Sequence, residues 1–537
     1  MWTQPEFSFD ACPLAFHTVT VEALEQGKLV HENGELLAQL PHLNALALEE
    51  RVALYKGENT GHGVTQAIST VYAGHQFGYF NPQLGDGRAA IVATDENVPI
   101  SQFFPHAFQA LVNDFIHRKQ EQGNSEWAFG AFDFFEKPTS VELQLKGSGI
   151  TPYSRSGDGK AVLRSSVREY LASEAVFQLG IPSTRAVALV HDDQTPVYRE
   201  TRESAAMVLR VAPSFLRLGH LEYWGRHGYA ERLTPYIAYL FRTFFNANGL
   251  DFLPVQQLQA VLTMSAILNA VTMAQWQGVG FCHGVLNSDN LSILGLTLDY
   301  GPYGFMDAFD MGHICNHSDH GGRYAYKNQP AIGLWNLSRL LDACHAFVGN
   351  EEDFQALKAS VEGTFQDAFN TSFLAVYRQK LRMEDRKLIP DIEFGEVLKS
   401  LLAYLHQNTL DYTRFFTALP AWETAFKNEE TPHVADIERL AMGIASPEAA
   451  WWLHEIYAPY LQKNALSGAS QTKVNPTVVL RNHVAQCLIE EAQAHRIEAF
   501  AEGFQRVQTP FNPQHEGHPW AQVPPPWAKA LCVSCSS

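Results

Sequence analysis

Two acidic sites close together in the chain constrain its folding more than any other feature: His283-Gly-Val-Leu-Asn-Ser-Asp289-Asn290 and, nine residues after Asn290, Asp299-Tyr-Gly301. The apolar segments Leu291 to Leu294 and Leu296 to Leu298 lie between them, and their pattern predicts a β-hairpin. A hairpin there sets Asn290 and Asp299 on its two sides as hard oxygen donors. Mg2+ prefers one or two protein oxygens plus phosphate oxygens, so the pair suits a metal–nucleotide complex. Asp289 is the candidate proton acceptor, because a carboxylate beside a metal-type Asn can take a proton from an acceptor hydroxyl. Two plainer readings stay open on these residues alone. Asp299-Tyr-Gly-Pro302 also has the composition of a simple turn, and Asp289 also suits a structural or outer-shell carboxylate.

Composition narrows the classes available. The 537 residues allow one large domain with additions or two to three ordinary ones. The chain is 46% apolar, with 34 Phe, 19 Tyr and 10 Trp, which is ample for a sizeable core. The formal charge of −18 and the lack of any Lys- or Arg-rich run argue against nucleic acid or an anionic membrane as partners. The start, Met1-Trp-Thr-Gln-Pro-Glu-Phe7, has neither the basic and apolar regions of a secretory signal nor the arginines of a transit peptide. The longest uncharged stretch, around Leu258 to Gly280, is interrupted by Thr263, Ser265, Asn269, Gln275 and Gln277, so a buried core helix is expected rather than a membrane span. The expectation is a soluble, cytoplasmic protein. The sequence sets no oligomeric state. Seven cysteines are too sparse for a disulfide scaffold, but Cys532-Val-Ser-Cys535 stands apart near the end of the chain.

Along the chain, residues 1–40 read as an irregular lead-in, 41–210 as a strand-rich nucleotide-binding region and 211–350 as a helical catalytic region. A helical extension over 351–508 and a Pro-rich tail over 509–537 follow. Residues of about 95–139 read as an insertion containing an amphipathic helix around Phe104 to Arg118. Strands are predicted at Ala89 to Ala93, Val141 to Lys146 and Ala186 to His191, the last leading into a hairpin turn at Asp192-Asp-Gln194. A helix is predicted from Ala161 to Leu179, ended by Gly180 and Pro182. Asn475-Pro476 has the form of a helix start, and the tail beyond Pro510 is expected to be extended and mobile unless docked.

The layout of a His-led loop, an Asn, a hairpin and an Asp-aromatic-Gly is that of a protein-kinase catalytic loop. A kinase places its base two residues after the His, where this chain has Val285, and valine cannot accept a proton. Lys146 on a strand and Glu169 on the following helix, 23 residues on, fit the kinase pair that holds a lysine on nucleotide phosphates. Gly85-Asp-Gly87-Arg88, Gly147-Ser-Gly149 and Ser156-Gly-Asp158-Gly159 are loops whose glycines permit backbone N–H groups to converge on an anion. Arg210 and Arg217 flank Pro213 and are suited to grip phosphate oxygens in pairs. The run His313-Ile-Cys315-Asn-His317-Ser-Asp319-His320 contains metal-ligand residue types without a second cluster, and reads better as a substrate-facing segment with a redox-capable thiol.

Taken together these residues resemble the selenoprotein O (YdiU) family of protein adenylyltransferases. The resemblance runs through Gly74-His-Gln-Phe-Gly78, Leu84-Gly-Asp-Gly-Arg88, Leu143-Gln-Leu-Lys-Gly147, Thr151-Pro-Tyr-Ser-Arg155 and Gly157-Asp-Gly159. It continues through Val162-Leu-Arg-Ser-Ser166, the His283 loop, Asp299-Tyr-Gly-Pro302, Cys315-Asn-His-Ser-Asp319 and Ser534-Cys-Ser-Ser537. It implies an α+β, two-lobed kinase-like fold with a helical C-terminal extension, and transfer of AMP from ATP to Ser, Thr or Tyr hydroxyls of protein substrates. By motif match, Gly85, Gly87, Arg88, Lys146, Asp158, Gly159, Arg210, Arg217 and Asp299 would bind ATP. Asn290 and Asp299 would hold Mg2+ or Mn2+, and Asp289 would accept the proton. ATP would lie flipped relative to ordinary kinases, with the α-phosphorus facing the acceptor. The resemblance also implies a disulfide between Cys315 and Cys535, the latter standing where some members carry selenocysteine. The alternatives are an ordinary γ-phosphate kinase, against which Val285 counts, and an inactive nucleotide-binding scaffold, against which Lys146, Glu169, Asn290 and Asp299 count. A purely redox role for Cys532 and Cys535 explains none of the remaining residues.

Overall fold

The computed structural model describes residues 16–58, 67–123, 134–135, 138–228, 230–246, 251–387, 389–427, 452–460 and 474–533. The first part of the chain builds an antiparallel sheet from β1 (Phe16–Val19), β2 (Lys28–Glu32), β3 (Ala67–Gln76), β4 (Tyr79–Gly85), β5 (Ala89–Pro99), β6 (Pro138–Lys146), β7 (Ala161–Val162), β8 (Arg185–Tyr198) and β9 (Arg202–Ala212). The strand order is β1-β3-β5-β6-β9-β8-β2, with β4 paired to β3 and β7 to β9. Two strands lie inside the expected lead-in, and β2 closes the far edge of the sheet by pairing with β8. The expected helix starts two residues late. Ala161 and Val162 pair with Ala206 and Ala205, and the helix runs Leu163–Gln178 across the sheet.

Helices make up most of the remainder, so the fold is mixed α and β. At its centre is Pro254–Val279, which by length and composition alone would cross a membrane, yet 94% of its most apolar window is buried inside the protein. That burial is what a core helix requires. Gly280 ends it with φ of 69°, a left-handed cap that glycine adopts without steric cost. The inserted helix, His106–Glu121, buries Phe108, Leu111, Val112, Phe115 and Ile116, the one-face spacing read from the sequence. It packs on the central helix and on Glu351–Lys380. A second apolar cluster joins Met306 and Phe309 to Tyr377, Phe394, Leu401, Tyr412, Phe416 and Trp452.

Several local expectations give way to longer-range pairing. The segment between the two acidic sites is not a hairpin. Its first arm pairs with the chain around Arg217 (Ile293 N to Leu216 O 3.1 Å, Leu218 N to Leu291 O 2.9 Å), and its second with residues 182–184 (Thr297 N to Pro182 O 2.9 Å). Both arms are buried, so each took its backbone partners from neighbouring elements rather than from the other. The Asp192-Asp-Gln194 turn is a bulge inside β8, where Asp192 Oδ1 accepts from Gln194 N and Thr195 N; the reversal comes later, at Arg199–Thr201. Asn475-Pro476 starts no helix. The Asn475 amide instead donates to Lys380 O and Phe416 O, and the helix begins at Asn482. The described part of the tail is docked: it forms short 3-10 turns at Pro513–His515, Pro519–Ala521 and Pro526–Ala530, and packs Phe511 and Trp520 on the core.

Candidate active site

A cleft of about 610 Å³ lies between the sheet and the catalytic loop. Strand geometry places its first charges. Side chains two apart share a face, so Gln144 of β6 lies on the same strand face as Lys146, which lines the cleft, while the buried Leu143 and Leu145 face the core. Arg210 of β9 is the direct partner of Gln144 in the sheet register. Its guanidinium donates to Gln144 Oε1, to Glu169 Oε1 at 2.7 Å and to Asp299 Oδ1 at 2.9 Å. Lys146 Nζ lies 2.5 Å from Glu169 Oε2 and 3.8 Å from Asp299 Oδ1. Arg217 approaches from the start of the next helix. It pairs with Asp299 Oδ2, donates to Asp289 O at 2.9 Å and lies over the Tyr72 ring at 4.9 Å.

This network sets the ionisation of its members. Burial alone would raise the Asp299 carboxyl, but Arg217, Lys146 and Arg210 outweigh it and hold it well below the usual range. Glu169 is likewise lowered, burial being overcome by Lys146 and Arg210. Burial lowers Lys146 against the pull of Glu169. The backbone of Asp299 has φ of 58°, a left-handed conformation that costs a non-glycine residue about 1 kcal/mol or more. The two arginines hold the carboxylate in that conformation.

The catalytic loop turns through a 3-10 segment at Ser288–Asn290. His283 Nε2 pairs with Leu298 O at 2.9 Å, tying the loop to the chain just before Asp299. The Asn290 amide nitrogen donates to Val285 O at 2.9 Å, which leaves its oxygen for another partner. Asp289 is buried, and burial pushes its carboxyl up to about 6 despite the Gln76 hydrogen bond and Arg217. Gln76 Nε2 donates to Asp289 Oδ2 at 3.1 Å, whereas Oδ1 is buried without a hydrogen-bond partner.

Two of the glycine loops, Gly85-Asp-Gly87-Arg88 with its exposed arginine and Gly157-Asp158-Gly159, line the same cleft. Their glycines are required by loop-to-loop packing as much as by any ligand. A Cβ on Gly85 would fall 2.3 Å from the Tyr153 ring, one on Gly87 2.8 Å from Tyr153 O, and one on Gly159, at φ of 67°, 2.0 Å from Gly149 O. Gly147 N donates to Arg88 O at 2.7 Å, joining two of the loops. Asp158 is held by Arg199 through two bonds of 2.9 Å, which lower its carboxyl. Gly159→Ala is therefore expected to spread the loops and weaken ATP affinity by about tenfold (~1.4 kcal/mol), read by calorimetric titration with a non-hydrolysable ATP analogue. Unchanged affinity would mean that these loops do not touch nucleotide.

The residues named from the sequence for ATP, for the metal and for the proton thus all front one cleft. Sequence reasoning missed Asp86, buried and accepting from Thr70 N (3.0 Å) and Thr70 Oγ1, with burial raising its carboxyl against Arg217. It also missed Gln144, although its place two residues before Lys146 on one strand was a usable signal, Gln76, although it lies within the Gly74-His-Gln-Phe-Gly78 motif, and Arg199, which had none. In the His313–His320 segment, the cysteine differs from expectation. Asp319 caps the turn below it by accepting from Arg323 N and Tyr324 N, and no group of three or more metal-ligating side chains occurs among the described residues. Cys315 is buried, makes no disulfide among the described residues and donates to Cys282 O at 3.3 Å, and burial raises it far above a normal thiol, so it does not face substrate in this arrangement. Cys535 lies outside the described residues.

Seven cationic side chains (Arg88, Lys146, Arg155, Lys160, Arg199, Arg210 and Arg217) line this cleft of an otherwise acidic protein, which is what a polyphosphate needs. Comparison with known proteins agrees. The family described as "Protein adenylyltransferase SelO" matches residues 9–99 and 132–508, and the unmatched interval holds the inserted helix His106–Glu121. The "Protein nucleotidyltransferase YdiU" of Bordetella avium is 39% identical over 540 residues, covering 99% of this chain and 97% of that protein. The protein of the same name in Erwinia tasmaniensis is 36% identical over 528 residues, with 97% of each covered. That of Cupriavidus metallidurans is 38% identical over 484 residues, 88% of this chain and 79% of the relative. With this match over nearly its whole length, the chain belongs to the protein adenylyltransferase SelO family and is a nucleotidyltransferase.

Proposed function

We propose that the protein moves AMP from ATP to Ser, Thr or Tyr hydroxyls of other proteins in the cytoplasm, releasing pyrophosphate, on a two-lobed kinase-like scaffold. The observation that carries this reading is the separation of charge in the cleft. Lys146, Arg210 and Arg217 all pair with the Asp299 carboxylate, whereas the Asp289 carboxylate is bonded by the neutral Gln76 amide, Arg217 reaching Asp289 only at its backbone carbonyl. Terminal phosphates drawn to the cations leave the α-phosphorus towards Asp289. The acceptor oxygen then attacks that phosphorus, the bond to the β-phosphate oxygen breaks, pyrophosphate departs, and the hydroxyl proton passes to the Asp289 carboxylate. Val285 offers no base at the position an ordinary kinase uses.

The residues also fit a divalent cation. The Asn290 amide is oriented by its bond to Val285 O with its oxygen uncommitted, and Asp299 is held ionised at the same cleft. Mg2+ or Mn2+ bound by Asn290 and Asp299 would neutralise phosphate charge and orient the leaving pyrophosphate. Arg210 and Arg217, which now occupy the Asp299 oxygens, would be free to turn to phosphate. A restraint by a Cys315–Cys535 disulfide is a further part of the proposal. It is supported by the docking of Val533 on His317 (His317 N to Val533 O 3.0 Å), each two residues from one of the cysteines. Free thiols at both positions in peptide maps of the oxidised protein would exclude it.

The direct test is ATP labelled at the α- or the γ-phosphate, with Asp299→Ala as control. Protein-bound label from the α position only, lost in the control, is the expected result. Label from γ only would replace this reading with an ordinary kinase. Nucleotide binding without transfer of either label would indicate a scaffold.

A further inference from the structure

The turn between β3 and β4 reaches across to the catalytic loop and is fastened to it on both sides of Gln76. His75 N donates to Ser288 Oγ at 2.7 Å, and Ser288 Oγ donates to Glu222 Oε2 at 2.8 Å. Glu222 is fully buried, and its other oxygen lies 2.6 Å from His75 Nδ1. On the far side, Phe77 N donates to the Tyr324 hydroxyl at 2.8 Å and to Asn287 Oδ1 at 3.3 Å, and Phe77 takes φ of 51° to do so. Gln76 is thereby held between two anchored neighbours, with its amide bonded to Asp289 Oδ2. Behind the carboxylate stands Gly74, where a Cβ would fall 2.5 Å from Oδ1 and 2.8 Å from the Asp289 Cβ. The missing side chain lets the aspartate seat against the strand, and that seat closes off Oδ1.

We propose that Gln76 is the positioning residue of the transfer reaction: with Oδ1 shut against Gly74, it fixes Asp289 Oδ2 as the oxygen that receives the acceptor's proton. This rests on the reading of Asp289 as proton acceptor. A base displaced by about 1 Å loses much of its effect, and a donor whose flanking residues are themselves bonded to the base's own loop prevents such displacement. Gln76 acts through Asp289 and makes no demand on the triphosphate, so its loss is felt in turnover and not in ATP binding.

The test is a double-mutant cycle on the full chain, using initial rates of AMP transfer with calorimetric ATP affinity and thermal midpoint for each variant. Gln76→Met keeps the length of the side chain and removes the donor. It is expected to lower kcat by about tenfold or more with KM for ATP within about twofold of wild type. Gln76→Glu, of the same shape, sets a second carboxylate against Asp289 and is expected to lower kcat further. In an Asp289→Asn background, Gln76→Met is expected to add no further loss, because the residue it orients no longer acts. Wild-type kcat in both Gln76 variants, or an equal fold-loss in the Asp289→Asn background, would overturn the positioning role. Full activity of Asp289→Asn alone would instead overturn the proton-acceptor assignment, so the two failures are told apart.

Discussion

Asp289→Asn is expected to reduce AMP transfer by about 10²- to 10⁴-fold, the usual worth of a positioned general base, with ATP affinity nearly unchanged. The substitution preserves shape and suits the surroundings. An Asn oxygen still accepts from Gln76 Nε2, and its amide nitrogen takes the place of Oδ1, which likewise has no hydrogen-bond partner. No buried charge is left unpaired by the change, so the fold should be retained. Because the Asp289 backbone carbonyl also accepts from Arg217, a bond that a side-chain change leaves in place, the cation cluster should survive. Initial rates with α-labelled ATP, beside calorimetric ATP binding, make the check. A variant that binds ATP and transfers AMP at the wild-type rate would remove Asp289 from the mechanism.

Lys380→Met is expected to stabilise the protein at pH 6 by up to roughly 3–4 kcal/mol and to lose that advantage as the pH rises towards 10. Lys380 ends the long helix Glu351–Lys380 only 4% exposed, and its ammonium has no hydrogen bond or ion pair among the described residues. Burial lowers it from 10.5 to about 7. Between those values the unfolded chain binds a proton that the folded chain does not, so stability rises with pH across that window. Below pH 7 the full cost of burying the charge is present. A shift of this size corresponds to at most ~5 kcal/mol, from which the attraction of the ammonium to the Phe416 ring, 4.0 Å away, takes back about 1–2 kcal/mol. Methionine fills a similar straight volume without the charge. Urea unfolding of both proteins at pH 6 and pH 9 decides it, and a Met variant less stable at pH 6 would show that the ammonium is solvated or paired.

The parts of the site that were legible in the sequence are those in which neighbouring residues set one another's position. The alternation of Val141 to Lys146 places Lys146 on a polar strand face, and it stands there opposite Glu169 of the following helix. The spacing of Phe108, Leu111, Val112, Phe115 and Ile116 is visible as a helical face and packs as one. Where the partner of a backbone group is distant, the same patterns misled. Leu291 to Leu298 alternate short apolar runs as a hairpin does, yet their carbonyls and amides were claimed by Leu216, Leu218 and Pro182. Asn475-Pro476 has the composition of a helix start, but the Asn475 amide was taken by the carbonyls of Lys380 and Phe416 on two other helices.

The amino-acid order alone carried the chemistry: a carboxylate beside an asparagine, a second carboxylate nine residues on, a strand lysine, two arginines and loops rich in glycine, all in one family's arrangement. Which charges meet was settled by packing. Arg210 and Arg217 join Asp299 across more than 80 residues, and Gln76 meets Asp289 across 213. The division has one physical cause. Helix and strand periodicity act over a few residues and can be read locally, whereas a buried charge must find its counter-charge wherever the fold brings one.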